Sequence, residues 1–132
     1  MLSPSDVLPL RVADLTFPEA HPLAGQHGVV MAHAIRHPQG IVLFDTGIGR
    51  DNPRLDEAYR VVHRSLEQEL AAHSIALDEI AAVVNSHLHF DHCGSNKLFP
   101  ETPNLCSGEG VRRFVFARLY TSTVGGFRRR SL

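Results

Sequence analysis

No histidine and no aspartate follows His92 in this 132-residue chain, and the only acids beyond that point are Glu101 and Glu109. Cysteine is scarce. Cys93 and Cys106 make no disulfide framework, and no CxxC pair suggests a structural zinc knuckle. No stretch approaches the roughly 20 apolar residues of a membrane-spanning helix. The N-terminal run Met1-Leu-Ser-Pro-Ser-Asp6 lacks the basic and apolar regions of a signal peptide, so a cytoplasmic protein is expected. Internal repeats are absent, and no linker divides the first 104 residues.

What is present fits one globular domain. Hydrophobic residues make up 43% of the chain and charged residues 20%. A chain of this size buries roughly two-thirds of its unfolded surface, enough for a single core. The net charge of −1 conceals a split. Residues 1–110 hold seven basic and all fourteen acidic side chains, whereas residues 111–132 hold six arginines and no acid. A basic tail can bind nucleic acid. Here Arg112-Arg113, Arg118 and Arg128-Arg129-Arg130 come without an aromatic platform or nucleic-acid motif, so no such partner is expected.

The apolar, partly β-branched run Gly28–Ile35 predicts a buried strand. The turn residues His37-Pro-Gln-Gly40 separate it from a second short strand, Ile41–Phe44. Asp45-Thr-Gly-Ile-Gly49 follows as a glycine-containing loop. Asn52 and Pro53 form a helix start, with Asp56 and Glu57 in the first turn. Leu55, Tyr59, Val62, Leu66 and Leu70 recur at helical spacing, which predicts one helix over about 53–73. Asp78-Glu79 opens a short turn, and Ala81–Val84 reads as a strand that delivers the chain to Asn85-Ser86. A helical turn is expected over Asn96–Phe99, stopped by Pro100.

Chemistry concentrates in His87-Leu-His-Phe-Asp-His92, three histidines and an aspartate within six residues, directly after a predicted strand. Neutral imidazole and carboxylate are the donors of zinc, iron and manganese sites. In extended or turning backbone, positions i and i+2 project to one side, so His87 and His89 can reach one ion. Asp91 and His92 can reach a second, and Gly94 lets the chain turn. The other histidines have plainer readings. His33 and His37 suit a strand face and a turn, His63 lies within the expected helix, and His73 suits a helix C-terminus. His21 and His27 fall in a Pro/Gly-rich loop. Cys93 reads as a small packing residue. Asp45 fits a turn but also a partner for the histidine loop.

The HxHxDH pattern after a strand, preceded by Phe44-Asp45-Thr46-Gly47, resembles the metallo-β-lactamase superfamily. The run His87–Gly94 followed by Asn96 and Leu98-Phe99-Pro100 is most similar to its quorum-quenching-lactonase type of zinc hydrolase; glyoxalase II thiolesterases, β-lactamases and some nucleases share the loop. The likeness covers residues 28–104. It implies an α/β fold, the N-terminal half of an αββα sandwich built on a mixed β-sheet with packed helices. It also implies two Zn2+ ions, with iron or manganese as substitutes. His87 and His89 would bind the first ion and Asp91 and His92 the second, while Asp45 would hold the histidine loop. The implied reaction is hydrolysis of a lactone or ester by a metal-bound hydroxide, with Asp91 as catalytic residue passing a proton to the leaving group.

The family site also takes ligands from a C-terminal half, which the lack of later histidines leaves unsupplied. Residues 1–104 therefore read as the N-terminal part of the domain, and 105–132 as an atypical arginine-rich tail. A shifted reading frame near codon 105 would produce such a tail. A short protein that completes its site as a homodimer, through the sheet face left bare, is the other explanation. A catalytically incompetent metal-binding fragment and a glyoxalase II-like thiolesterase are the competing functional expectations. The chain alone is expected to hold less than one tightly bound metal and to hydrolyse lactones poorly.

Overall fold

The computed structural model describes residues 1–107; the arginine-rich segment and Glu109 lie outside the described residues. A six-stranded mixed sheet carries the fold, in the order β4-β1-β2-β3-β5-β6. Its strands are β1 (Val7–Thr16), β2 (His27–His37), β3 (Gly40–Phe44), β4 (Val62–His63), β5 (Ile80–Asn85) and β6 (Asn104–Cys106). Three short helices accompany them: α1 (Pro53–Ala58), α2 (Leu66–Ala72) and α3 (Phe90–Cys93). This is the expected α/β class.

The strands β1, β2 and β3 form an antiparallel meander. β5 and β6 then add in parallel, β5 beside β3 and β6 beside β5. Parallel neighbours need a crossover, and the chain uses α1, β4 and α2 to make it. Leu10, Ala32, Ala34, Leu43 and Val83 face the helices and are buried with Leu66, Leu70 and Ile75. The register places Ile35 opposite Val42 and Phe44 opposite both His33 and Val84. These residues share the other face with Val29 and Leu105, which are 53% and 57% exposed. One face of the sheet is thus a helix-covered core and the other an apolar surface without a covering layer among the described residues. No helix among them is long and apolar enough to cross a membrane.

The single helix expected over 53–73 is two helices with a strand between them. Asn52 caps α1 as anticipated, its side chain accepting from the Leu55 amide at 3.2 Å. The helix ends at Tyr59, and Arg60 turns into the left-handed region with φ 46°. Val62 and His63 then pair with Asp14 and Ala13 at the sheet edge. Ser65 caps α2 through the Gln68 amide, and Leu66 and Leu70 go into the core. The continuous stripe therefore overstates the helix. Val62 is 62% exposed, and the β-branched Val61-Val62 pair followed by a serine cap fits a short strand and a fresh start.

His63 consequently sits on β4 rather than in a helix, where its Nε2 lies 2.9 Å from Asp56 Oδ1. His27 opens β2 instead of lying in a loop. His73 ends α2 as expected. β1 was not singled out by periodicity, because Pro9 interrupts it and a bulge between Arg11 and Ala13 shifts its alternation. β6 runs across the 104/105 position where the atypical tail was expected to begin.

Candidate metal centre

The cluster sits at the carboxyl ends of the parallel strands β3 and β5, the place where open α/β sheets present their ligand-binding loops. Asp45 leaves β3 with its amide still donating to Val84 O at 2.8 Å, so the ladder continues into the loop. It then takes φ 60°, a left-handed conformation that aspartate tolerates better than most residues. Leaving β5, Ser86 and His87 come alongside. Leu88 is buried and anchors the loop, while His89, Phe90, Asp91 and His92 turn into α3.

Asp45 is 5% exposed and is fully used. It accepts from the Ser86 amide at 2.8 Å, from Ser86 Oγ at 2.8 Å and from His92 Nδ1 at 2.8 Å. Burial pushes its carboxyl up, but these hydrogen bonds outweigh burial and hold it below the ordinary carboxylate value. The same bond to Asp45 raises His92 above the ordinary imidazole value, against burial and with help from the Asp91 charge. With Nδ1–H given to Asp45, His92 keeps Nε2 for a ligand, and that atom lies 3.5 Å from Asp91 Oδ2.

Ser86, which no sequence motif marks, joins the cluster. Its Oγ donates to Asp45 and stands 3.0 Å from His87 Nδ1. If His87 Nδ1–H donates to that oxygen, Nε2 is left free. His87 Nε2 faces His89 Nδ1 at 3.2 Å. Burial first, then the neighbouring His92 and His89 charges, lowers the pKa of His87 and favours its neutral, ligating form. Burial pushes the Cys93 thiol up to about 11, so it stays protonated at neutral pH and suits a packing role. The signal for Ser86 was its place: a hydroxyl directly before the first histidine, at a strand end.

The donors fit a metal in pairs. Two nitrogens on one tetrahedral zinc, with Zn–N of about 2.05 Å, stand roughly 3.3 Å apart. The His87–His89 separation matches this. His92 Nε2 and Asp91 Oδ2 form a second imidazole–carboxylate pair, and the His87 and His92 rings lie 4.0 Å apart. Among the described residues no group of three or more His, Cys, Asp or Glu is placed to hold one ion. The structure thus brings all five residues singled out in the sequence together, as two half-sets rather than a closed shell.

The Asp45–His92 pair makes stability depend on pH, with opposite signs from its two members. Asp45, depressed, contributes fully above the ordinary carboxylate value of about 4 and loses the contribution as pH falls through its folded value. His92, raised, contributes fully below about 6.5 and loses the contribution as pH climbs through its folded value. The metal-free chain is therefore expected to be most stable between about pH 4 and 6.5. Thermal melts across pH would show a maximum there that Asp45→Asn flattens; an identical profile in the variant would contradict the pairing.

Residues 25–117 match the family model described as metallo-beta-lactamase superfamily. A gamma-lactamase, MBL2 of Gibberella moniliformis, is 31% identical over 81 residues, covering 54% of this chain and 34% of that protein. A probable metal-dependent hydrolase from Staphylococcus aureus superposes with a TM-score of 0.70 at 15% identity, over 86% of this chain and 50% of that one. An AiiA variant of B. thuringiensis, solved with N-decanoyl-L-homoserine at its active site, superposes with a TM-score of 0.56 at 19% identity, over 74% of this chain and 46% of that one. The chain spans between 27% and 34% of the length of the first two curated relatives that it matches. A family match over most of the chain, the mixed sheet and the histidine loop at its strand ends lead to one conclusion: the chain belongs to the metallo-beta-lactamase superfamily.

Proposed function

We propose that this chain carries the first half of the two-metal centre of a hydrolase that cleaves lactone or other ester-type bonds. The observation that carries the reading is the pair of donor sets, His87 with His89 at 3.2 Å and Asp91 with His92 at 3.5 Å, on one loop at the strand ends. Each set would hold one ion, zinc by the choice of imidazole and carboxylate donors, with iron or manganese chemically acceptable. When bound, such ions supply Lewis acidity and a water acidic enough to act as nucleophile near neutral pH. The chain's own residues do the rest. Asp45 orients the His92 ring and Ser86 the His87 ring, leaving the Nε2 of each for a metal. Asp91, with a side chain about one-third exposed at 32%, can take up a proton and return it to the leaving alkoxide.

A second reading is supported by the donors coming in pairs rather than threes. On that reading the chain is a metal-binding fragment without turnover. A panel separates the readings: zinc content by elemental analysis, then hydrolysis of a γ-lactone, an open-chain ester, a thioester and a γ-lactam. Weak zinc binding with slow zinc-dependent turnover, greatest on the lactone or ester, is the expected outcome for this half-centre. Preference for the thioester would indicate a glyoxalase II-like activity, and preference for the lactam a γ-lactamase. Zinc binding without any turnover would establish the fragment reading, and failure to bind zinc would end both.

A further inference from the structure

Beneath the histidine loop lies a buried polar cluster that the metal chemistry does not use. Thr46 is 1% exposed and Asn85 3%. Asn85 and Asn96 form a reciprocal amide pair, Asn96 Nδ2 donating to Asn85 Oδ1 at 2.7 Å and Asn85 Nδ2 to Asn96 Oδ1 at 3.3 Å. Thr46 Oγ1 donates to the same Asn96 Oδ1 at 2.8 Å. The cluster has one point of application on the loop, the main-chain carbonyl of His92. That oxygen accepts from the Thr46 amide at 2.7 Å and from Asn85 Nδ2 at 3.3 Å.

A carbonyl in so short a helix as α3 has no partner further along the helix. Here Thr46, 46 residues earlier on the loop after β3, and Asn85, seven residues earlier at the end of β5, donate to it, while Asn96 in the turn after α3 braces both donors. Buried polar side chains cost free energy unless fully bonded, so retaining two of them, Thr46 and Asn85, with the half-buried Asn96 as their shared partner requires a compensating gain. The His92 ring is tied to Asp45 on the same loop that carries Thr46. His92 is thus held at two ends, ring and carbonyl, against the strand ends that also carry His87.

We propose that Thr46, Asn85 and Asn96 are positioning residues that clamp the His92 main chain and thereby set the separation of the Asp91–His92 pair from the His87–His89 pair. The proposal rests on the two-pair metal reading above for its functional meaning, and on geometry alone for the clamp. Removing the clamp leaves every metal donor in the chain but lets α3 slide on β5.

Cobalt(II) is the probe, because its visible absorption reports coordination geometry. Asn96→Ala and the near-isosteric Thr46→Val should weaken cobalt binding by about tenfold or more, within the range seen for lost outer partners of metal ligands, and alter the absorption band. Thr46→Ser, which restores the hydroxyl, should recover both. Amide exchange should quicken at Thr46 about tenfold while the β2–β3 amides stay protected, marking a local rather than global loss. Cobalt affinity within about twofold of the parent with an unchanged spectrum in both variants would overturn the proposed setting of the separation. If the parent chain binds no cobalt, the metal reading fails, and exchange at Thr46 alone decides the clamp: unchanged exchange in Thr46→Val and Asn96→Ala overturns it.

Discussion

Gly94→Ala is expected to cost the chain about 3 kcal/mol or more of folding stability and to weaken its metal capture. The helix α3 is pressed end-on against the glycine loop after β3, with Gly94 N donating to Gly47 O at 2.8 Å and Gly47 bridging Cys93 in parallel. A methyl group at Gly94 would fall on the Gly49 nitrogen and the Phe90 carbonyl oxygen, and would stand 2.9 Å from Gly47 O. All three obstacles are main-chain atoms, which cannot swing aside as a side chain can. The reverse approach is as tight, since a Cβ on Gly49 would meet the Gly94 carbonyl. Overpacking a core with one methylene costs about 1–3 kcal/mol, and a main-chain collision belongs at or above the upper end. Urea melts with and without zinc would check this. A variant whose unfolding free energy lies within about 0.5 kcal/mol of the parent, a typical surface effect, would show that the two loops are not interlocked.

Asp45→Ala comes second in expected size. The carboxylate is buried and accepts from three donors on the histidine side of the site. Its removal strands the Ser86 amide and frees the His92 ring to take the wrong tautomer. Because Ser86 is exposed and His92 half-buried, water can replace part of the lost bonding, and the stability cost is expected at the lower end of the roughly 1–3 kcal/mol of a stranded polar group. Loss of an outer partner of a metal-ligating histidine lowers affinity about 10–100-fold. Zinc titration calorimetry on the variant should show that loss, with a lowered melting temperature in metal-free buffer. Equal affinity and equal melting in parent and variant would remove Asp45 from the site. Asp45→Asn is the milder control: it keeps the volume and one acceptor but loses the charge that favours the His92 imidazolium.

The parts of this architecture that were legible in the sequence are those written in local pattern. The apolar runs of β2, β3 and β5 lie within a few residues of where they were placed, and so does the Asn52–Pro53 helix start. The break between α1 and α2 was hidden because Leu55, Tyr59, Val62, Leu66 and Leu70 keep helical spacing straight through it. Only pairing with β1, about fifty residues earlier, pulls Val62 and His63 into a strand. The metal-loop residues were legible because one short segment carries them. Ser86, Asn85, Thr46 and Asn96 were not read as part of the site. The Thr46 partner lies 50 residues away in sequence and the Asp45–Ser86 partners 41, distances over which composition and period say nothing.

The position of the core has a consequence for how an ion would act on this molecule. Leu10, Leu43, Leu70 and Val83 are fully buried on the helix side of the sheet, and none of His87, His89, Asp91 or His92 belongs to that cluster. Small zinc modules are unfolded without metal because the ion is their core. Here the sheet and its helices close without one. An ion would stabilise the chain only by mass action, by about 2.7 kcal/mol at a hundredfold excess over its dissociation constant. A chelator would therefore strip the centre and leave a folded scaffold, ready to be reloaded with a different metal.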